Sequence, residues 1–131
     1  MKRLMMFLGT LAFLMTFSAM AFAFSKGDRV LVLWEDAYWY PGTVVAVEGN
    51  VLTVDFDDGD KATADSERVN KLDWQAGDVV ECRWPYNNKN YKGRFTKVQG
   101  ENVRIVFDDG DKAELTVSVC RQSRESRLVG R

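Results

Sequence analysis

Eight side chains in this 131-residue sequence are of the types and spacings that hold a cation. In each half a Trp is followed six or seven residues later by a Tyr, and further on by a Phe with an Asp two places beyond it. The first set is Trp34, Tyr40, Phe56 and Asp58; the second is Trp84, Tyr91, Phe107 and Asp109. Aromatic faces attract soft cations through their ring quadrupoles, worth about 0.5–2 kcal/mol per ring. A carboxylate among the rings supplies the countercharge. Phe56 and Phe107 taken alone also suit the core of a small domain.

Other chemistries fit less well. The sequence has no His, so it lacks Ser-His and Cys-His dyads and the usual general base near neutral pH. Carboxylates are plentiful in Asp57-Asp58-Gly59-Asp60 and its second copy, but these read as hairpin tips, where Asp is favoured for turn geometry alone. With Asp55 as first ligand, an EF-hand calcium loop needs Gly where Asp60 stands and Glu where Ser66 stands. A zinc site without His would need ligands from two Cys and carboxylates, a poor donor set. The sequence therefore reads as non-enzymatic, with no metal and no cofactor implied.

The elements that must position the eight residues come from a duplication. Phe-Asp-Asp-Gly-Asp-Lys-Ala occurs twice, as Phe56 to Ala62 and as Phe107 to Ala113. The match extends to Gly27-Asp28 with Gly77-Asp78, Trp34 with Trp84, Gly42 with Gly93, Val47 with Val98 and Gly49 with Gly100. Phe24 and Trp74 are the aromatics three places before each Gly-Asp. A period of about fifty residues suits one small β barrel per copy. In the first copy, strands are expected over Arg29 to Trp34, Tyr40 to Glu48 (bent), Val51 to Phe56, Asp60 to Ala64 and Arg68 to Lys71, with a helical turn at Asp65 to Glu67. Val30, Val32 and Trp34 share one face of the first strand. The second copy gives Val79 to Trp84, Tyr91 to Gln99, Asn102 to Phe107, Asp111 to Leu115 and Ser118 to Arg121. Five short strands separated by turn signals point to a closed barrel, in which the Trp, Tyr and Phe strand ends converge on one rim.

Outside the repeats, Lys2 and Arg3 precede an apolar run from Leu4 to Met20, and Ala21-Phe22-Ala23 fits the small-x-small cleavage rule. The expectation is a cleaved signal peptide over 1–23, a barrel over 24–73, a second over 74–122, and a disordered basic tail over 123–131. Loss of Lys2 and Arg3 takes the formal charge from −1 to −3, which disfavours bulk nucleic-acid binding. No membrane association is expected after cleavage, and the mature chain is expected to be periplasmic or secreted. The joint from Leu72 to Ala76 is too short for a flexible tether, so the barrels should touch near Trp74. Tyr38 and Trp39, present only in the first copy, hint that the two clefts differ.

The two Cys lie in the first and last strands of the second barrel, which are neighbours in such a fold. A Cys82–Cys120 disulfide is expected, contributing about 3–4 kcal/mol through loop closure. A reactive thiol or a metal site is the alternative.

The aromatic-x-x-Gly-Asp openings, the Trp followed by Tyr-x-Gly, and Phe-Asp-Asp-Gly together resemble the Tudor domains of the SH3-like barrel superfamily. The resemblance spans Phe24 to Leu72 and Trp74 to about Gln122. It implies an all-β fold of two tandem five-stranded barrels and an aromatic cage for methylated lysine or arginine. By motif position the cage residues are Trp34, Tyr40, Phe56 and Asp58, and in the second barrel Trp84, Tyr91, Phe107 and Asp109. The place after the turn Gly, often aromatic in the family, is Asp60 or Asp111 here. The expected partner is a protein or peptide with a cationic side chain, methylated or not. Peptidoglycan binding in the manner of exported SH3-like domains, and a scaffold without a small ligand, are the other readings.

Overall fold

The computed structural model describes residues 23–129, so the expected leader lies outside the described residues except for Ala23. Among the described residues no helix is long and apolar enough to cross a membrane. Each repeat begins with the same device. Gly27 and Gly77 take φ near +95° and +98°, and the following Asp folds back, Asp28 accepting from Ser25 N at 2.8 Å and Asp78 from Gln75 N at 3.0 Å. The chain then enters the first strand of its barrel.

Barrel 1 comprises β1 (Arg29–Leu33), β2 (Tyr38–Glu48), β3 (Val51–Phe56), β4 (Lys61–Asp65) and β5 (Val69–Lys71); a 3-10 turn, Ser66–Arg68, joins the last two. Barrel 2 repeats the plan with β6 (Val79–Arg83), β7 (Asn90–Gln99), β8 (Asn102–Phe107), β9 (Lys112–Thr116), a 3-10 turn at Val117–Val119 and β10 (Cys120–Ser123). All pairings are antiparallel. The first strand of each barrel pairs with the last, β1 with β5 and β6 with β10. The bend expected in the second strand is a register shift, between Val44 and Ala46 in β2 and between Phe95 and Lys97 in β7. Such an irregularity turns a strand around a barrel corner.

The glycine of each Tyr-x-Gly sits inside the second strand, where a neighbouring backbone comes too close for a side chain. A Cβ on Gly42 would lie 2.8 Å from the Asp55 carbonyl oxygen, and one on Gly93 2.7 Å from that of Val106. The motif is thus a packing requirement of the rim that carries the Tyr.

Two features depart from the sequence reading. First, both faces of β1 are buried. Val30 and Val32 enter the core of barrel 1 with Val44, Leu52, Val54 and Val69, while Leu31 faces the other way and joins Trp39, Trp74, Val80 and Phe95 in the second core. The expected common face of Val30, Val32 and Trp34 ends at Val32, because Trp34 lies past the strand and is 40% exposed. Second, the barrels share one sheet. Gln122 and Ser123 of β10 pair with Trp39 and Tyr38 of β2, giving the order β4-β3-β2-β10-β6-β7-β8-β9.

This junction also corrects the expectation of a disordered tail from residue 123. Ser123 completes β10, and α1 (Arg124–Val129) follows. Arg124 N donates to the Ala37 carbonyl at 2.9 Å, and Arg127 pairs with Asp73 at 2.9 Å and lies over the Trp39 ring. Gly130 and Arg131 lie outside the described residues.

Trp74 is buried at the junction as the short joint suggested. Its Nε1 donates to Gln122 Oε1 at 3.1 Å, and Gln122 Nε2 donates to the Val79 carbonyl. The one buried side-chain amide at this contact is thereby satisfied on both sides, which a buried polar group requires.

Candidate functional site

The structure brings each set of four predicted residues to one barrel rim. In barrel 1, Trp34 and Phe56 meet edge to face at 5.7 Å between ring centroids. Together with Tyr40 and Asp58 they line an open cleft of about 320 Å³. In barrel 2, Trp84 and Phe107 meet at 5.6 Å and Tyr91 and Phe107 at 6.4 Å, both edge to face. With Asp109 they line a cleft of about 190 Å³. Both Phe rings are largely buried, at 9% and 4% exposure, and form the floors. The Trp and Tyr rings stand as walls.

Asp58 and Asp109 have a structural task as well. Asp58 Oδ1 accepts from Asp60 N at 3.0 Å and Asp109 Oδ1 from Asp111 N at 2.9 Å, which shapes the hairpin tip. Phe56 N and Phe107 N each donate across that tip to the carbonyl of Asp60 or Asp111. The turn requirement therefore fixes the carboxylate at the rim, and its Oδ1 is the oxygen engaged.

Sequence reasoning missed a fifth residue of each cleft. Asp36 and Asn87 occupy the loop after the Trp, and each builds an Asx turn by accepting from the backbone N of Tyr38 or Lys89 at 3.0 Å. Each also reaches the wall tyrosine. Tyr40 donates its hydroxyl to Asp36 Oδ2 at 2.5 Å, whereas Asn87 Nδ2 donates to the Tyr91 hydroxyl at 2.8 Å. The available signal was an Asx residue in the loop that follows the Trp of each repeat, obscured by the one-residue difference in loop length. The first cleft thus carries the carboxylates Asp36, Asp58 and Asp60, with Lys61 at its edge. The second carries Asp109 and Asp111 beside a neutral Asn87.

The clefts also differ in what holds their walls. Arg121, on β10 of barrel 2, donates to the Tyr40 hydroxyl at 3.3 Å and pairs with Glu81 at 2.9 Å. Its guanidinium stacks over the Tyr38 ring at 4.0 Å, and Tyr38 donates to Glu81 at 2.8 Å. The hydrogen bond to Glu81 is the main cause that raises the Tyr38 hydroxyl pKa above its ordinary value of 10.0. Burial, then the bond to Asp36, raises that of Tyr40. Tyr38 and Trp39 therefore serve the junction between barrels, and through Arg121 that junction braces the first cleft. Tyr91 is held within its own barrel, is 41% exposed, and has no counterpart brace among the described residues.

Cys82 and Cys120 are disulfide-bonded and face each other across β6 and β10. A disulfide is compatible with an extracellular location. Among the described residues no group of three or more His, Cys, Asp or Glu is placed to hold a metal ion.

A pair of curled five-stranded barrels, each with an aromatic and acidic cleft at one rim, defines the class as tandem SH3-like barrels. Residues 26–72 match the family model described as the DNA repair protein Crb2 Tudor domain. The crystal structure of the Crb2 tandem tudor domains is similar with a TM-score of 0.59 at 17% identity, covering 82% of this chain and 86% of that one. Looser likenesses are Arabidopsis thaliana AGDP1 AGD34 and the ADCP1 tandem Agenet domain 3-4. The former has a TM-score of 0.38 at 20% identity, over 76% of this chain and 82% of that one. The latter has 0.36 at 20%, over 76% and 79%. No curated protein matches the sequence. The chain therefore shares the fold of the Crb2 tandem tudor domains, and its first barrel matches the Tudor family model.

Proposed function

We propose that this protein is a non-enzymatic binding module whose first cleft takes a cationic side chain, methylated or not, of a protein or peptide partner. One observation carries the reading: Trp34, Tyr40 and Phe56 surround a recess to which Asp36, Asp58 and Asp60 contribute negative charge. Rings supply dispersion and quadrupole attraction to an ammonium or guanidinium group, and the acids favour the charge. The brace from Arg121 to Tyr40 limits the ordering that a ligand would otherwise have to impose. The second cleft, with fewer carboxylates and no brace, is the weaker site. The exposed face of Trp34 favours this reading over a scaffold whose aromatics are all core.

The leader-type sequence over 1–23 and the disulfide support export to the periplasm or beyond. Peptidoglycan is the competing ligand in that setting. The test is an amide-resolved NMR titration of the oxidised chain from residue 24 with trimethyllysine peptide, dimethylarginine peptide and soluble muropeptide. Shifts at Trp34, Tyr40 and Asp58 with the cationic peptides, abolished by Trp34→Ala, are the expected result. Shifts with muropeptide alone would replace this reading with a cell-wall one.

A further inference from the structure

A second recess adjoins the first cleft and lies between the barrels. It holds about 90 Å³, room for one carboxylate-sized group, since a water occupies about 30 Å³ of liquid. Tyr40, Phe56 and Asp58 line both spaces, so they share a wall. Barrel 2 contributes the far side, including Arg83 and Arg121.

The charges in this recess are unequally committed. Asp57 is held by Arg29 through two bonds of 2.7 Å, and Arg121 is engaged by Glu81 and Tyr40. Arg83 is half-buried, and its guanidinium makes no hydrogen bond or ion pair among the described residues. The barrel does not require Arg there. The corresponding residue of barrel 1 is Leu33, at the same place before the Trp, and it packs on the shared core. A planar guanidinium without an acid partner suits bidentate capture of a carboxylate.

We propose that Arg83 is the second half of a two-charge site. A peptide whose basic side chain enters the first cleft places a carboxylate on Arg83, supplied by a neighbouring acidic side chain or by the peptide's own C-terminus. The ligand is thus a basic residue with an acid within one or two positions, and both barrels are needed to read it. This rests on the cation reading of the first cleft and adds its sequence preference.

The test measures affinities of trimethyllysine peptides by Trp fluorescence or NMR. One series carries Glu or Gln one or two places from the lysine with an amidated end; the other has a free or amidated C-terminus directly after it. Proteins are the wild type, Arg83→Gln and Trp34→Ala. The wild type should prefer the carboxylate form of at least one series by about tenfold, less where solvent screens the pair, and Arg83→Gln should erase that ratio while still binding the uncharged form. The series that shows the ratio identifies the carboxylate's source. An unchanged ratio in Arg83→Gln, or none in the wild type, with binding lost in Trp34→Ala, overturns the inference and leaves the cleft reading standing. Binding that survives Trp34→Ala unaltered, or no binding to any peptide, overturns both.

Discussion

Where the first and last strands of each barrel meet, barrel 1 sets Val32 against Val69 and barrel 2 sets Cys82 against Cys120. All four are buried to within a few per cent. One barrel fills the position with methyl groups, the other with a covalent bond, and the backbone around them keeps the same register. The neighbouring pair differs in kind as well. Leu31 opposite Asn70 in barrel 1 becomes Glu81 opposite Arg121 in barrel 2. Leu31 buries itself in the partner barrel's core, while Glu81 and Arg121 carry the polar junction to Tyr38 and Tyr40. The change from Leu31 to Glu81 and from Asn70 to Arg121 thus falls where the copies touch. What they share, the Gly-Asp opening, the Tyr-x-Gly and the Asp-Gly hairpin, is what one barrel needs by itself.

The largest effect should come from the junction. Trp39→Ala removes a side chain only 8% exposed that joins Leu31, Trp74 and Phe95, and should cost about 3–5 kcal/mol. Urea unfolding measures it, and a loss below about 1 kcal/mol would show that each barrel stands without the other. Next comes the covalent pair. Cys82→Val with Cys120→Val copies barrel 1 into barrel 2, keeps the packing, and should cost about 3–4 kcal/mol by the loop-closure estimate. The reverse exchange, Val32→Cys with Val69→Cys, should oxidise spontaneously, as thiol titration would report. Failure to bond would mean that the shared register hides different side-chain geometry.

Charge in the clefts is the third comparison. Asp36→Asn should lower the first cleft's affinity for a cationic peptide about fivefold, the value of one unit charge at contact in high dielectric, and Asn87→Asp should raise the second by a similar factor. NMR titration reads both clefts in one sample. The smallest effect is alkaline. The Tyr38 and Tyr40 hydroxyls have raised pKa values in the folded chain, so the folded state holds these protons longer. The stability they contribute is complete below the unfolded value of 10.0 and is lost as pH rises through the higher folded values. Tyr38→Phe and Tyr40→Phe should flatten that decline in thermal unfolding curves.

The barrels were readable in the sequence because their determinants are local and occur twice. Val51 to Phe56 and Asn102 to Phe107 match the observed strands, and the other strands are displaced by a residue or two at their ends. The disulfide followed from strand adjacency. The shared sheet did not, because β10 meets β2 through Gln122 and Ser123, whose polar side chains give no hydrophobic period. Arg124 to Val129 likewise read as unpatterned, since the helix is held by Arg127 on Asp73 and Trp39 rather than by an apolar face of its own. The eight predicted cleft residues do meet in two clefts. Asp36 and Asn87 were missed because their loops differ in length by one residue and because what assigns them to the clefts is a hydrogen bond to a tyrosine hydroxyl, which no spacing encodes.

The strand that closes barrel 2 is also the one that ties it to barrel 1. β2 therefore waits for a partner some eighty residues further along the chain. As the polypeptide emerges from N to C terminus, barrel 1 can assemble while Trp39 and the outer face of Leu31 remain uncovered. They are sheathed only after Gln122 arrives. The first cleft then matures in a definite order, shaped early by its own barrel and braced late, when Arg121 reaches Tyr40. A nascent chain interrupted before that point would present a formed pocket with a loose wall and an apolar flank, the kind of surface that chaperones hold.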